Sequence, residues 1–560
     1  MQDNIQNLKL HDKYGYGQLF CFSGIEGETS VERAFVGVLM NEPITVRFHF
    51  DETITLRIPL PEPVKFSAVT GDTLNGDGFF VAFSDKDTVV GKAVVSPIVF
   101  TEGKSERTEE NGAEKIETTA GSFFLTVKKT DGYFYFSFAF GKLGTLMTER
   151  ELNELKKKRY AYFDRLPKCK DAKYEKLYYK CLSVNKENVC SAEGEIPFRW
   201  STPDRVPHRY MWLWDSGFYA MAFAHYDAET AKDCIRSVLA LQREDGFISH
   251  MMSPRGRISK VTQPQVLAWS VWAIYQNDKD ENFVREVAPA IAQFLVWTMK
   301  NRDKNGNGLL EWFTGDDGED CKCGESGLDN SPRFDFDTEM DAIDFSAYLC
   351  NDAKYLSLLF GEIGDRENAE YFASVHESVK EKINALLWSE KDGLYYDRLF
   401  DGRLTGFATP SSFLPMFAGI CSRERAEKMV RVLTDKEKFL TAMPVPSVPR
   451  DSEYYDTDMW RGCVWLNFNY FVIIGLIRYG YDELAEDLRA RTLDTVEKWY
   501  EKTGNVFEFY DADDVTDPFF LKRKGEPAET PDYKKRIHTI CDFNWSACFT
   551  MMLINRIYYY

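Results

Sequence analysis

The feature that most constrains this chain is a change in the period of its apolar residues near position 145. Before it, apolar and polar side chains alternate over short runs, as in ITVRFHF at 44–50 and ITLRIPL at 54–60. A two-residue period puts one face of an extended strand on a core and the other in solvent, so about residues 8–145 read as antiparallel sheet. SFFLTVKKT at 122–130 and YFYFSFAFG at 133–141 flank Asp131-Gly132, a dipeptide that accepts the positive φ angles of a tight hairpin. KSERTEENGAEK at 104–115 reads as a solvated charged loop. Two packed sheets follow, an N-terminal antiparallel β-sandwich over residues 1–147.

After Gly144 the period becomes helical. TERELNELKKKRYAYF at 148–163 is strongly charged and opens a helical linker over 148–172. From there the pattern predicts about a dozen helices, near 173–190, 215–225, 228–243, 262–277, 281–301, 337–361, 366–386, 410–419, 421–433, 459–479, 481–501 and 541–559. Paired, they make six hairpins. Long Gly-, Trp- and Asp-rich connections gather at one end of the pairs, which concentrates function on one rim. A closed ring of hairpins over 173–560 is the simplest packing, and the fold class is α + β multidomain.

At 560 residues the chain exceeds what one hydrophobic core fills. Its 42 Phe, 29 Tyr and 12 Trp suit a bulky core or a sugar-stacking cleft. A net charge of −19, with only short basic runs such as KKKR at 156–159, argues against a nucleic-acid or anionic-membrane partner, because both need a positive field. The start, MQDNIQNLKLHDKYG, lacks a charged region followed by an apolar one, and no long apolar run occurs, so a cytoplasmic location is expected. The 12 cysteines read as reduced core residues; Cys321 and Cys323 lack a second pair at zinc-site spacing.

Four clusters carry candidate chemistry. In GESGLDNSPRFDFDTEMDAIDFSAYL, 324–349, Asp329 lies in a turn ahead of a long helix, where a carboxyl can be held over a cleft. Asp344 shares a helix face with Met340, Ile343, Ala347 and Tyr348, so it either joins a buried polar network or binds a polar ligand. HRYMWLWDSGF, 208–218, gathers Arg209, Trp212, Trp214 and Asp215, and TQPQVLAW, 262–269, follows with Gln263. Aromatic faces beside carboxylate, amide and guanidinium groups suit a sugar ring; core tryptophans with a capping Asp215 are the plainer alternative. YYDTDMWRGCVWLNFNY, 454–470, repeats the mixture with Trp460, Arg461, Trp465 and Asn469. NVFEFYD, 505–511, sets Glu508 between Phe507 and Phe509, and Trp545 heads the last helix. A carboxyl so flanked can have its pKa tuned upward.

Taken together, WLWDSGF, TQPQVLAW, ESGLDNSPRFD, DAIDFSAYL, WRGCVWLNFNY and VFEFYD resemble glycoside hydrolase family 63 and its relatives among the mannosylglycerate and glucosylglycerate hydrolases and, more distantly, the trehalases. The resemblance implies an (α/α)6 barrel, with Asp329 as general acid and Glu508 as general base of an inverting, exo-acting α-glycoside hydrolase. It also implies that Trp214, Asp215, Gln263, Asp344, Trp460, Arg461 and Trp545 line the subsite of the terminal sugar, and Trp212, Arg333 and Trp465 are further substrate-binding candidates. The expected partner is a small carbohydrate: an α-glucoside, a disaccharide or a sugar-glycerate.

No cofactor is required for such chemistry. RDKNGNGLLEW, 302–312, presents Asp303, Asn305, Asn307 and Glu311 around glycines, which resembles a loop for structural calcium, against the alternative of an Asn-Gly turn. Rival readings are a phosphorylase, a debranching glucosidase or a rhamnosidase, and a non-catalytic carbohydrate-binding protein. The first would need an anion site where Glu508 stands, and the last would be expected to lack one carboxylate. The 7 histidines are isolated, and neither HExxH nor GxSxG occurs.

Overall fold

The computed structural model describes residues 35–39, 44–48, 54–59, 66–69 and 73–560, apart from 86, 120, 191, 193, 205–207, 209, 314–322, 336–338, 504 and 526–538. The expected Arg209 and Cys321 therefore lie outside the described residues.

The alternating segments form two antiparallel sheets. In the smaller, β1 (Phe35–Leu39), β2 (Ile44–Phe48) and β3 (Ile54–Ile58) are followed by β8 (Ile98–Thr101). The larger runs β4 (Phe66–Val69), β5 (Thr73–Gly76), β6 (Phe79–Asp85), β7 (Thr88–Ala93), β12 (Tyr133–Phe140), β11 (Gly121–Thr130), β10 (Ala113–Thr118) and β9 (Glu106–Glu110). One face of each sheet feeds a single core: Val46, Ile54 and Leu56 meet Phe79, Val81, Phe83, Phe123 and Phe136. Because the strand period is two, Phe80, Ala82 and Val90 turn to the opposite face, where Leu152 of α1 (Glu149–Ala161) covers them. Lys92 pairs with Glu149 at 2.7 Å, and Arg159 donates to the Phe83 carbonyl. The charged linker is thus a helix clamped to the sheet, and its start is held by a Thr148–Glu151 capping box.

Asp131 (φ 51°) and Gly132 (φ 84°) form the expected two-residue turn. The charged stretch at 104–115 is a correction: β9 and β10 pair around Asn111 (φ 52°) and Gly112 (φ 77°) as another hairpin. All of β9 is exposed. An edge strand with no buried face carries no alternation for sequence to reveal, and its charges blunt an unpaired edge.

The helices are α2 (Glu175–Glu187), α3 (Leu213–Phe223), α4 (Ala228–Ala240), α5 (Leu267–Asp278), α6 (Glu281–Asn301), α7 (Ile343–Glu362), α8 (Arg366–Leu386), α9 (Leu414–Phe417), α10 (Arg423–Leu433), α11 (Leu466–Arg478), α12 (Asp482–Thr503) and α13 (Asn544–Asn555). They fall into two kinds. Every residue of α3 and α13 is buried, whereas α8 buries only Phe372, Val379 and Ile383. A helix apolar all round must be surrounded; one with a stripe lies outside. The inner helices touch in a closed circuit, α3 to α5, α7, α9, α11, α13 and back to α3. Around them, α4 packs on α3, α6 on α5, α8 on α7, α12 on α11 and α2 on α13.

Helix starts divide the same way. Asp227, Asp280, Asp365 and Ser422 cap α4, α6, α8 and α10 with their own side chains, while α3, α5, α7, α11 and α13 have no local side-chain cap. Distant carboxylates serve instead. Asp352 of α7 accepts from the Ala268 and Trp269 amides at 2.9 and 3.0 Å, and Asp397 accepts from Ile343 at 2.9 Å. The positions just before these helices are released for Trp212, Val266, Trp465 and Phe543. Some expected helices also start later: Met340–Asp341 pairs with Arg398–Leu399 before α7, and Gly462 (φ 148°) separates the short Met459–Arg461 turn from α11. Among the described residues no helix is long and apolar enough to cross a membrane.

Candidate active site

The uncapped starts of the inner helices bring the tryptophans together. Trp460 and Trp465 stack with centroids 3.8 Å apart, Trp465 meets Trp545 edge-on at 5.6 Å, and Trp545 meets Trp214 at 5.3 Å. The turn bearing Asp329 leans on this wall. A Cβ on Gly327 (φ 73°) would lie 2.6 Å from the Trp214 ring, so only glycine allows the approach. Asn330, next to Asp329, accepts from the Trp460 amide at 2.9 Å, and Gln263 accepts from the Trp214 amide at 3.2 Å. The indole N–H groups of Trp212, Trp460 and Trp545 are buried without a partner among the described residues. Buried donors of this kind are costly unless a ligand or water satisfies them.

Asp329 keeps 21% of its side chain exposed and faces Lys524 Nζ at 3.3 Å. Glu508 is buried on an extended segment whose amide donates to Ile540 at 3.0 Å and whose neighbours Phe507 and Tyr510 bridge to Cys541 and Val464. Its Oε2 accepts from Arg523; Oε1 takes no hydrogen bond from the described residues. Consecutive Arg523 and Lys524 therefore each pair with one of the two carboxylates. Arg523 reaches His208 Nε2 at 3.3 Å, and the Trp212 ring lies edge-on to both His208 and His250 at 6.2 and 5.2 Å. Burial pushes the His250 pKa down to about 4, with Asp329 acting in the opposite direction. Asp215 accepts from Tyr219 at 2.9 Å; burial pushes its pKa up to about 7, and the Glu508 charge adds to the rise. Met459 and Lys524, with φ of 44° and 53°, put left-handed non-glycine backbone at this site, as functional sites often do.

Other expected residues are committed to partners of their own. Arg333 donates through Nε and Nη2 to Asp397 at 2.9 and 2.6 Å, through both terminal nitrogens to Asp344, and to Ser411 at 3.3 Å. Asp344 also accepts from Trp312 at 2.8 Å and Ser411 at 3.0 Å. All five guanidinium donors are engaged. Of the two readings of Asp344, the geometry matches the buried network, which Arg333 shares. Arg461 pairs with Asp335 at 2.7 Å on a partly exposed rim.

The Asp303 loop is ordered by its own groups. Asp303 accepts from the Gly308 amide at 2.9 Å and Glu311 from the Lys304 amide at 2.8 Å, while the Asn305 and Asn307 amides donate to Asp341 at 2.8 Å each. Among the described residues Asp303 Oδ1 and Glu311 Oε1 are left buried and unpartnered, and burial pushes the Glu311 pKa up to about 7, with Asp341 and Asp303 adding. No group of three or more His, Cys, Asp or Glu placed to hold a metal occurs among the described residues. Two carboxylates and two asparagines fit only a weakly charged, oxygen-only calcium site.

Sequence reasoning missed Arg523, Lys524, His208, His250 and Glu325. The last accepts from Arg302 at 2.8 and 2.7 Å, Thr262 at 3.0 Å and Phe313 at 2.7 Å, which ties the Asp329 loop to the Gln263 loop. It stood in a recognised motif, but its partners are far away in sequence.

The aromatic wall with unsatisfied donors and the circuit of paired helices are those of a glycoside hydrolase. The chain belongs to the family of mannosylglycerate hydrolase MGH1-like glycoside hydrolase domains, whose model matches residues 208–546. It is 26% identical over 397 residues to mannosylglycerate hydrolase MGH1 of Selaginella moellendorffii, 56% of this chain and 77% of that one. The GH63 mannosylglycerate hydrolase of Thermus thermophilus, solved with Tris and D-glycerate, shares the fold at TM-score 0.54 and 22% identity, covering 67% of this chain and 99% of its own. A bacterial glucoamylase complexed with acarbose matches at TM-score 0.57 and 12% identity over 98% of this chain and 96% of its own. That last likeness spans both the sheets and the helices.

Proposed function

We propose that the protein is an inverting, exo-acting α-glycoside hydrolase, with Asp329 as general acid and Glu508 as general base. The observation that carries this reading is the pairing of adjacent Arg523 and Lys524 with the two carboxylates. Asp329 protonates the departing oxygen. Glu508, with Oε1 uncommitted, takes a proton from the water that attacks the anomeric carbon from the other side, so an α-glycoside releases a β-sugar. Inversion requires the carboxyl groups to stand roughly 6.5–9.5 Å apart. Trp212, Trp214, Trp460 and Trp545 hold one terminal sugar, and the wall behind it favours exo-cleavage.

The closed circuit of inner helices supports an (α/α)6 barrel over residues 173–560, and the separate cores support its division from a sandwich at 1–147 and a linker at 148–172. Glucose is the terminal sugar first expected, from a small oligosaccharide or glucoside. The family match favours a second reading, a sugar-glycerate substrate. The chemistry uses no cofactor; calcium at Asp303, Asn305, Asn307 and Glu311 would be structural. A panel of α-glucobioses, trehalose, glucosylglycerate and mannosylglycerate, with the product anomer followed by proton magnetic resonance, tests the proposal. First-formed β-sugar from one substrate is expected. Release of α-sugar, or no turnover across the panel, refutes it.

A further inference from the structure

Between the outer face of the larger sheet and α1 lies a hollow that takes no part in the proposed hydrolysis. It encloses about 160 Å³. That is far above the ~10–15 Å³ that admits one water and below the roughly 300–1,000 Å³ of a site for a drug-sized molecule, so it suits a ligand of a few heavy atoms. Phe80, Lys92 and Tyr133 line it from the strands. Glu149, Asn153 and Lys156 line it from the helix, where a spacing of four and then three residues puts them on one face. The charges in it do not balance. Glu149 is the one carboxylate among the lining residues, and it is already spent: Lys92 reaches both of its oxygens at 2.7 Å, the Tyr135 hydroxyl donates to Oε2 at 2.8 Å and the Asn153 amide to Oε1 at 3.3 Å. Lys92 keeps a third N–H to give. Lys156 is half-buried and has no hydrogen-bond or ion-pair partner among the described residues; its ammonium stands 5.7 Å from the centre of the Tyr160 ring. Burial, and then the Lys92 charge, push its pKa down, as expected for an ammonium short of negative charge.

We propose that this hollow binds a small oxyanion, a phosphate or carboxylate group, between Lys156 and Lys92. The anion accepts the hydrogen bonds that Lys156 and the third N–H of Lys92 have to give, and its charge offsets the repulsion between the two ammonium groups. In a chain of net charge −19 an excess of positive charge in a concave spot is a local exception, and low-dielectric walls focus its field on whatever enters. A metal cation would meet two ammonium groups there, and a neutral sugar would leave the excess charge uncompensated. Once bound, the anion ties α1 to the sheet at a second point beside the Lys92–Glu149 pair, so it fastens the linker to the sandwich.

The test is calorimetric titration of the whole chain with inorganic phosphate and, separately, with acetate, at an ionic strength held constant with sodium chloride. Wild type should bind at least one of the two saturably, and binding of one alone supports the proposal and names the group. Lys156→Met should weaken binding by about tenfold or more, because a charge-assisted hydrogen bond is lost; Lys156→Gln should do the same while keeping a polar side chain. Lys158→Met removes an exposed lysine of equal charge from the same helix and should leave the affinity unchanged. Melting without the anion checks that each variant is folded, and the anion should raise the melting temperature of wild type and Lys158→Met but not of the Lys156 variants. Binding of neither anion overturns the proposal. So does binding that survives both Lys156 variants, or equal weakening by Lys158→Met, which is the mark of a diffuse field rather than a site.

Discussion

Arg333 and Arg523 are both buried arginines paired with carboxylates, and they sit in opposite kinds of site. Around Arg333, every donor is used and Asp344 accepts on both oxygens from arginine, serine, indole and backbone. Around Arg523, Glu508 keeps Oε1 uncommitted and the nearby indoles of Trp212, Trp460 and Trp545 lack partners among the described residues. A saturated network has nothing left to offer a ligand and gains only rigidity. An unsaturated one is costly in the empty protein, and is retained where a ligand or a reacting water completes it. Burial is similar in the two; hydrogen-bond completeness separates them.

The largest expected effects test the unsaturated site. Glu508→Gln and Asp329→Asn should each lower kcat by about 10³-fold or more, within the range for general acid–base groups. Melting should be little altered, because glutamine can still accept from Arg523 and the Asp329 side chain is partly open to solvent. Ordinary turnover in either purified variant would remove that residue from its role. Next in size, Arg333→Met leaves Asp344 and Asp397 buried without a cation and should destabilise the fold by about 3–5 kcal/mol, read as a fall in melting temperature. Unchanged melting with a raised KM would break the comparison, since Arg333 would then be holding substrate.

Asp352 tests the middle ground: as buried as Asp344, it has backbone amides but no cation, and burial pushes its pKa up to about 7. A folded pKa above the unfolded value of 3.8 means that its contribution is complete below that value and is lost as pH rises through about 7. Relative to Asp352→Asn, wild type should therefore lose on the order of a few kcal/mol of stability between pH 4 and pH 8. Parallel stability curves for the two proteins would show that the carboxylate is ionised throughout.

What sequence could show follows from how local each signal is. The period change near 145 and the Asp131-Gly132 turn are properties of neighbouring residues, and both the sheets and the helices follow from them. The tryptophans were legible because they stand in ordered motifs at helix starts. Arg523 and Lys524 sit in LKRKG, 521–525, an ordinary basic run whose meaning depends on carboxylates 15 and roughly 195 positions away. Asp344 could be read two ways because Arg333, Trp312 and Ser411 converge on it only in three dimensions. The 104–115 hairpin was invisible because nothing in it is buried on β9.

The smallest expected effect concerns a third carboxylate cluster, which the same criterion places with the unsaturated kind. Asp303 Oδ1 and Glu311 Oε1 are buried without partners among the described residues, and like charges crowd Glu311 from Asp341 and Asp303. A divalent cation would satisfy both oxygens and offset that repulsion, whereas protonation of Glu311 offsets only part of it. At a calcium concentration one hundred times its dissociation constant, binding to the folded state alone would add about 2.7 kcal/mol. Melting should therefore rise with added calcium and fall with chelator, and Asp303→Asn should abolish the difference. Because Glu311 must lose its proton for calcium to bind, the calcium-dependent rise should be larger at pH 8 than at pH 6. A melting temperature indifferent to calcium at both values would leave the loop as an Asn-Gly turn that tolerates a neutral Glu311.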